Sequence, residues 1–517
     1  MNRPSRHPHR RPGRDRKARA LPPPAGAARV GGERPSTAVV GGGIAGLAAA
    51  TALAERGVAV TLYEREPYLG GRVGAWPTQL RDGSRATMSR GFHAFFRQYY
   101  NLRSLLRRTD PLLARLTTLP DYPLRHRDGM RDSFRHVPRT PPWSALGFVA
   151  LSPSFGLRDL GRIRAGAALP LLDVRVPDVY ARLDHTSAHD FLERIRFPHS
   201  ARHLAFEVFS RSFFADPRGL SAAEMALMFH IYFLGSAEGL LFDVPDAPFA
   251  QALWNPLATH LERHGADIRT SVPVEHIEPL PDGGYEVSAG GTRRHDAVVL
   301  ALDTAGLRSL VGRCDRLGDA AWRERVAGLR NAPPFLVTRL WLDRPVAPDR
   351  PGFLGTSGYE GLDNVSVLER WDGEAAQWAQ RTGGSVVELH AYALRPGDPQ
   401  ERAQERLIDQ LHLVYPETRA ARVVDVRHEW RADCPLFPLG AHADRPGVRT
   451  PDPRVVLAGD LVRVDLPVAL MERAATTGFL AANALLAQWN VRGEQLWTVP
   501  DRGRGLLLRT VSGWGSR

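Results

Sequence analysis

Residues 36–73 read STAVVGGGIAGLAAATALAERGVAVTLYEREPYLGGRV, and the fold turns on this stretch. A β-branched run, Thr37 to Val40, enters consecutive glycines, an alanine-rich segment of helical composition follows, and a second run, Val58 to Tyr63, closes the unit. Strand, tight turn, helix and strand in that order make a βαβ unit. Gly41, Gly43 and Gly46 stand at the G-x-G-x-x-G spacing. The first glycine makes the turn, the second lets a pyrophosphate approach the backbone, and the third lets helix and strand pack closely. Glu64 ends the second strand, 23 residues after Gly41, where an acid can accept hydrogen bonds from a ribose diol. The flanking strand, helix and acid turn a weak glycine pattern into a specific one and predict an α/β, Rossmann-like domain.

Two downstream stretches belong to the same architecture. RVVLAGDLVRVDLPVALMERAATTGFLAANALLAQW (454–489) reads as a strand, a Gly459-Asp460 turn, a loop, and a long helix from near Ala469. The start of such a helix presents unpaired N–H groups and a positive dipole end to an anion. WNPLATHLERHGADIRTSVPVEHIEPLPDGGYEVSAGGTRRHDAVVLAL (254–302) reads as a helix, a strand around Ser271 to Ile277, a Pro-Asp-Gly-Gly hairpin turn and two further strands.

Leu69-Gly70-Gly71-Arg72, just after the second strand, resembles the extension found in the FAD-containing amine oxidase and phytoene desaturase superfamily. The resemblance implies FAD, with Gly71 and Arg72 around the flavin side of the pyrophosphate. It also implies that the Val274 backbone pairs with the adenine, and that Gly459, Asp460 and the backbone at Met471 contact the flavin half. The implied FAD domain is discontinuous, covering 36–100, 250–330 and 430–490. An inserted α+β substrate domain takes 101–249 and 331–429, and 491–517 is a C-terminal extension.

Where phytoene desaturases usually carry an Asp-x-Gly element, this chain has Met88-Ser89-Arg90-Gly91. MSRGFHAFFRQYYNLR (88–103) and FHIYFLGSAEGLLFDVPDAPFAQALWNPL (229–257) are similar to isorenieratene synthases, bacterial enzymes that desaturate β-carotene rings and move a methyl group. That likeness spans about residues 36–500. It implies an FAD-dependent oxidoreductase of carotenoid biosynthesis, a lipophilic carotenoid substrate and a membrane surface close by. Converting a β-ionone ring to a trimethylphenyl ring removes hydrides and protons and shifts one methyl from C1 to C2, with no methyl donor.

The same stretch holds Phe92, Phe95, Phe96, Tyr99 and Tyr100 in a chain that is 8% aromatic. Their steps of three and four residues predict one broad helix face. Core packing is the plain account. The alternative, given the nearby GGR, is a pocket wall that binds a flat polyene, excludes water and faces a passing positive charge. His93 is a candidate proton acceptor or a packing residue, and Glu238 and Asp465 are rival bases. Arg90 is placed to hold the flavin or a carboxylate. The sequence shows no metal-ligand cluster and no nucleophilic triad.

The remaining composition narrows the setting. The formal charge is +12, but residues 1–35 carry ten basic groups against Asp15 and Glu33, so +4 is left for residues 36–517. Lys17 is the single lysine. No nucleic-acid surface is expected. Residues 1–35, rich in Pro, Gly and Arg, read as a disordered basic tail, a solvated extension or an electrostatic tether to anionic lipid or nucleic acid. Arg10-Arg11 is not followed by an apolar export core. Cys314 and Cys434 lack disulfide or C-x-x-C spacing, which suits a reducing cytoplasm. The most apolar stretch, PPWSALGFVALSPSFGL (141–157), is too broken to span a bilayer. It fits a core segment or an interfacial one that dips Trp143, Phe148 and Phe155 into the inner face of the cell membrane. Three rivals remain in view: a desaturase or isomerase of the open polyene, a flavin-free lipid escort of the same fold, and a nicotinamide dehydrogenase that would leave the downstream half-site without purpose.

Overall fold

The computed structural model describes residues 15–504 apart from 120, 156–160, 162, 199–200, 202–212 and 396. Residues 1–14 and 505–517, and 156–157 of the apolar stretch, therefore lie outside the described residues.

Strand Ser36–Val40, helix Ile44–Glu55 and strand Ala59–Tyr63 form the βαβ unit. They sit in a five-stranded parallel sheet ordered 267–269, 59–63, 36–40, 297–300, 455–457. The helix is alanine-rich because it is covered on nearly every side, by the sheet and by helix Leu470–Gln488. A helix apolar all round belongs inside a core. The two helices touch at Gly478, where an added Cβ would stand 2.2 Å from the Ala45 carbonyl oxygen.

The strand expected around Ser271 to Ile277 is corrected to two shorter ones. Asp267–Arg269 extends the parallel sheet, and His276–Pro279 opens an antiparallel ladder with Tyr285–Ser288 and Thr292–His295. Between them the chain leaves the ladder, with the Val272 N–H donating to the Glu64 carbonyl at 2.8 Å.

A seven-stranded sheet stands opposite, ordered 423–431, 335–342, 385–391, 364–367, 353–357, 123–126, 131–133. Strands Phe335–Leu342 and Ser385–Ala391 are buried along their whole length. Helices drawn from residues 143–234 pack beside it around a second apolar core.

Two expectations about local structure are overturned. Residues 92–100 are not one helix. Phe95–Phe96 is a short strand paired with Phe242 and Asp243, and helix begins only at Tyr100. Rings on both odd and even positions fit either period, and here the extended partner wins; Arg103 locks the turn by donating to the Phe95 and Phe96 carbonyls at 2.8 and 3.1 Å. Nor are residues 15–35 a disordered tail. Arg19–Leu21 pairs antiparallel with Leu496–Thr498, and the Ala27 N–H donates to the Asn490 carbonyl at 2.9 Å. Buried Asp15 accepts from the Ala237 N–H at 2.8 Å and pairs with Arg504. The C-terminal segment supplies partners that composition alone does not reveal.

In the apolar stretch, Trp143–Leu151 is a helix. Phe148 points inward and stacks on Phe134, with centroids 4.9 Å apart, and Phe155 packs edge-on against Phe148 and Phe197. The exposed rings and chains are Trp143, Leu146 and Leu151. Among the described residues no helix is long and apolar enough to cross a membrane.

Candidate active site

A cavity of about 640 Å³ runs from the carboxyl edge of the parallel sheet to the face of the larger sheet. Ligands in open α/β sheets lie at that edge. Gly41, at φ +108°, makes the first turn so tightly that a Cβ would meet the Ala301 oxygen at 2.4 Å. Gly43 faces the cavity, and Gly71, at φ +57°, stands across from it. Gly46 does not line the cavity: its Cβ would lie 1.9 Å from the Gly41 oxygen, so its role is to let the helix start beneath the turn.

Two helix starts open on this end, at Ile44 and at Leu470 and Met471, and neither is capped by a side chain. Their free N–H groups and positive dipole ends suit a doubly charged pyrophosphate. Arg72 adds a cation, held by Asp460 at 2.5 Å from Nη2 to Oδ1. Gly459, at φ +147°, turns the chain there and takes the Thr477 Oγ1 as acceptor for its N–H at 2.9 Å. Glu64 accepts from the Gly42 N–H at 2.7 Å and the Glu66 N–H at 2.8 Å. Burial pushes its carboxyl above the usual range, against the pull of those bonds. Two of its acceptor sites stay available for a ribose diol. Val274 lines the cavity beside Val272 and Pro273. These residues fit the adenosine and pyrophosphate of FAD.

The other half is walled by rings. Phe92 stacks on Phe353 at 4.3 Å, Tyr122 packs on Phe353 at 4.8 Å, and Phe96 packs on Tyr232 at 4.7 Å. Arg90 lines the cavity but pairs with Asp433, so the carboxylate it holds is one of the protein's own. His93 also lines the cavity. Its Nδ1–H donates to the Gly91 carbonyl at 2.8 Å, and burial brings the imidazole down to about 4, so it is neutral. The remaining expected bases are not brought to the cavity. Glu238 is buried behind the wall, its N–H on the Ser236 hydroxyl at 3.0 Å, beside Tyr100. Asp465 is exposed on the loop that leads into helix Leu470–Gln488. A turn that ends one element faces outward as readily as inward, and sequence order does not settle which.

Sequence reasoning missed Asn364, His390 and Tyr392, which line the ring-walled half from the larger sheet. Behind them Glu388 and Arg339 form a buried ion pair, with Oε2 accepting from Nε at 2.9 Å and from Nη2 at 2.6 Å. The available signal was the alternation Glu388-x-His390-x-Tyr392, which puts three polar groups on one face of a strand. Among the described residues no group of three or more His, Cys, Asp or Glu could hold a metal ion.

The match to known proteins agrees with this geometry. The model of the family described as flavin containing amine oxidoreductase matches residues 44–486. A carotenoid phi-ring synthase of Streptomyces griseus is 68% identical over 97% of both chains. One from Chlorobaculum tepidum is 28% identical over 90% of both, and a probable zeta-carotene desaturase of Synechococcus elongatus is 26% identical over 87% of this chain and 98% of its own. Among solved structures, cyclohexylamine oxidase from Brevibacterium oxydans shares the fold at a TM-score of 0.64 and 17% identity, covering 88% of this chain and 99% of that one. With FAD as its cofactor, the chain belongs to the flavin containing amine oxidoreductase family and, within it, to the group of the carotenoid phi-ring synthases.

Proposed function

We propose that the protein aromatises the β-ionone ring of β-carotene by desaturation with a C1-to-C2 methyl shift, giving the end group of isorenieratene. The observation that carries this reading is the continuity of a ring-walled chamber with the dinucleotide end, in a chain so similar to a phi-ring synthase. On this reading 36–100, 250–330 and 430–490 hold the cofactor. Gly41, Gly43, Glu64, Gly71, Arg72, Val274, Gly459, Asp460 and Met471 contact it, while 101–249 and 331–429 form the substrate side. FAD bound there would supply the two-electron oxidant for each hydride, with an external electron acceptor reoxidising it between the two.

The chain's own residues do the rest. Loss of hydride from C4 and a proton from C3 gives a cyclohexadiene. Loss of a second hydride, from C2, leaves a cation to which the geminal methyl migrates, and loss of the C2 proton completes the aromatic ring. Phe92, Phe96, Tyr122 and Tyr232 offer π faces to that charge, worth about 0.5–2 kcal/mol per contact, without adding a nucleophile that would trap it. The same rings keep out water, which would quench the cation as an alcohol. The substrate resides in a bilayer, so the protein works at the inner face of the cell membrane as a peripheral enzyme. The exposed Trp143, Leu146 and Leu151 of one helix give it an apolar contact.

Expression in a β-carotene-producing host tests the reading. Aromatic end groups, seen as loss of four hydrogens per ring with aromatic proton resonances, are expected. Intact β-rings with shifted chain double bonds would instead make it a desaturase or isomerase of the open polyene.

A further inference from the structure

The proposed reaction releases protons inside a ring-walled chamber, and each needs an acceptor and a way out. Asn364 donates from Nδ2 to the Tyr392 phenol oxygen at 3.0 Å. The Tyr392 hydroxyl meets His390 Nδ1 at 2.7 Å, and His390 Nε2 meets Glu388 Oε1 at 2.9 Å. Arg339 braces the other carboxylate oxygen. Burial alone would raise the Glu388 carboxyl, but Arg339 and His390 hold it down at about 2, so it is ionised. The Phe92 N–H also points at His390 Nε2, at 3.2 Å, but the carboxylate is nearer, at 2.9 Å, and its charge-assisted bond is the favoured one, so Nε2 carries the proton. Nδ1 is then the acceptor and the Tyr392 O–H the donor. One acceptor site on the phenol oxygen stays open to the chamber.

Behind this chain lies a second, smaller pocket of about 60 Å³, lined by Glu388, Arg339, Thr87, Ser89, Asp372 and Glu374. Apolar side chains, among them Phe92, Phe249, Trp341 and Trp371, complete its lining, and it is large enough for a few waters. His390 and Tyr392 face the large chamber, and Glu388 faces the small pocket. The ion pair thus stands between the two pockets, beside Phe92 and His93, which line both. Burial raises the Asp372 carboxyl to about 6, so a group able to bind or release a proton near neutrality stands in the small pocket.

We propose that Tyr392, His390 and Glu388 act as one relay that accepts the protons lost from the ring and passes them to water in the small pocket. This deepens the aromatisation reading and rests on it. In each transfer the ring C–H bond breaks, its electron pair stays on the ring as a new π bond, and the proton goes to the Tyr392 oxygen. The phenol proton moves to His390 Nδ1, the Nε2 proton moves to Glu388, and water takes it from there. A cation of this kind is a strong acid, so a neutral, weakly nucleophilic phenol suffices as the contacting base and does not trap it.

The test uses the full chain, its Tyr392→Phe and His390→Gln variants and the double variant, each expressed in the β-carotene-producing host and purified for flavin content. Each single variant is expected to keep its flavin and lose aromatic product by about 100-fold, the usual size of a general-base contribution. The double variant is expected to be no worse than either single one, because residues acting as a unit do not lose activity independently. Product within threefold of wild type in Tyr392→Phe, or losses that multiply in the double variant, would overturn the relay alone. Should His390→Gln lose flavin, Tyr392→Phe, which removes one oxygen, decides the matter. Wild type that makes no aromatic product would sink the aromatisation reading and the relay with it.

Discussion

Arg72 Nη2 stands 2.5 Å from Asp460 Oδ1, joining parts of the chain 388 residues apart in sequence. The pair ties the turn after the second strand to the turn before helix Leu470–Gln488, and both of its residues line the cavity. Its side chains are 29% and 12% exposed, so its loss costs less than that of a fully buried pair. Asp460→Asn is expected to lower flavin affinity about tenfold, equivalent to roughly 1.4 kcal/mol, with the apo-protein's melting temperature nearly unchanged. Titration of deflavinated protein with FAD measures it; unchanged affinity would remove the pair from the site.

Gly43 and Gly46 separate binding from folding. A Cβ on Gly43 has only the Gly71 Cα within 4 Å, at 3.9 Å, and otherwise enters the cavity. A Cβ on Gly46 meets the Gly41 oxygen at 1.9 Å. Gly43→Ala is therefore expected to leave the apo-protein within about 0.5 kcal/mol of wild type while abolishing flavin retention. Gly46→Ala is expected to destabilise by about 1–3 kcal/mol through forced displacement of packed backbone. Chemical denaturation of both apo-proteins, set beside their flavin content, checks the contrast.

Glu224 is buried between Arg445 and Arg473, at 2.8 Å from each, and so fastens helix Ala222–Phe229 to helix Leu470–Gln488. Burial would raise its carboxyl, but the two guanidinium groups bring it from 4.5 to about 2. The folded value lies below the unfolded one, so the stabilisation is complete above pH 4.5 and is lost as pH falls toward 2. That window holds on the order of 3 kcal/mol at about 1.4 kcal/mol per unit. Glu224→Gln leaves buried cations uncompensated and is expected to cost about 3–5 kcal/mol at neutral pH. Its stability should also change less between pH 4.5 and 2 than that of wild type, as denaturant melts across that range will report.

Phe92 tests the ring wall. It stacks on Phe353 at 4.3 Å and meets Trp371 edge-on at 6.1 Å. Phe92→Leu keeps an apolar side chain and removes the π face. If the wall stabilises a cation by about 0.5–2 kcal/mol per contact, aromatic product should fall roughly 2- to 30-fold while flavin content holds. Hydroxylated rings, the mark of water capture, should rise in the product mixture. Product that stays aromatic at the wild-type rate would reduce the rings to packing.

What the sequence made legible follows from how local each signal is. Gly41, Gly43 and Glu64 announce their roles because turn, phosphate approach and ribose contact all fall within one βαβ unit, whose geometry depends on neighbours in the chain. Of the rings from Phe92 to Tyr100, Phe92, Phe96 and Tyr99 line the cavity while Phe95 and Tyr100 pack in the core, so both expectations hold in part; the helical period fails because the strand partner, Phe242–Asp243, is remote. The alternation around His390 and Tyr392 marks a polar strand face but not what that face meets, for a similar reason. The two residues reach the chamber only because strand Ser385–Ala391 sits between strands Asn364–Val367 and Phe335–Leu342, and register between distant strands is a tertiary fact. Residues 15–35 likewise gained order from a C-terminal partner that no window of local sequence contains.

Helix Trp143–Leu151 carries the remaining prediction. Phe148 faces the core, while Trp143, Leu146 and Leu151 are 62%, 53% and 57% exposed. Apolar side chains gathered on one short helix are costly to leave in water, at about 25 cal/mol per Å², and an interfacial contact relieves that cost. Replacing Trp143, Leu146 and Leu151 together by aspartate is expected to weaken binding to liposomes by roughly 100- to 1,000-fold, at about 1–1.5 kcal/mol per side chain, as flotation will measure. Flavin content and melting temperature should hold, because these side chains support little of the fold. Lipid binding should survive high salt, since apolar burial is not screened as charge attraction is. Binding that salt abolishes but the aspartates leave intact would move the contact from this helix to the basic residues elsewhere.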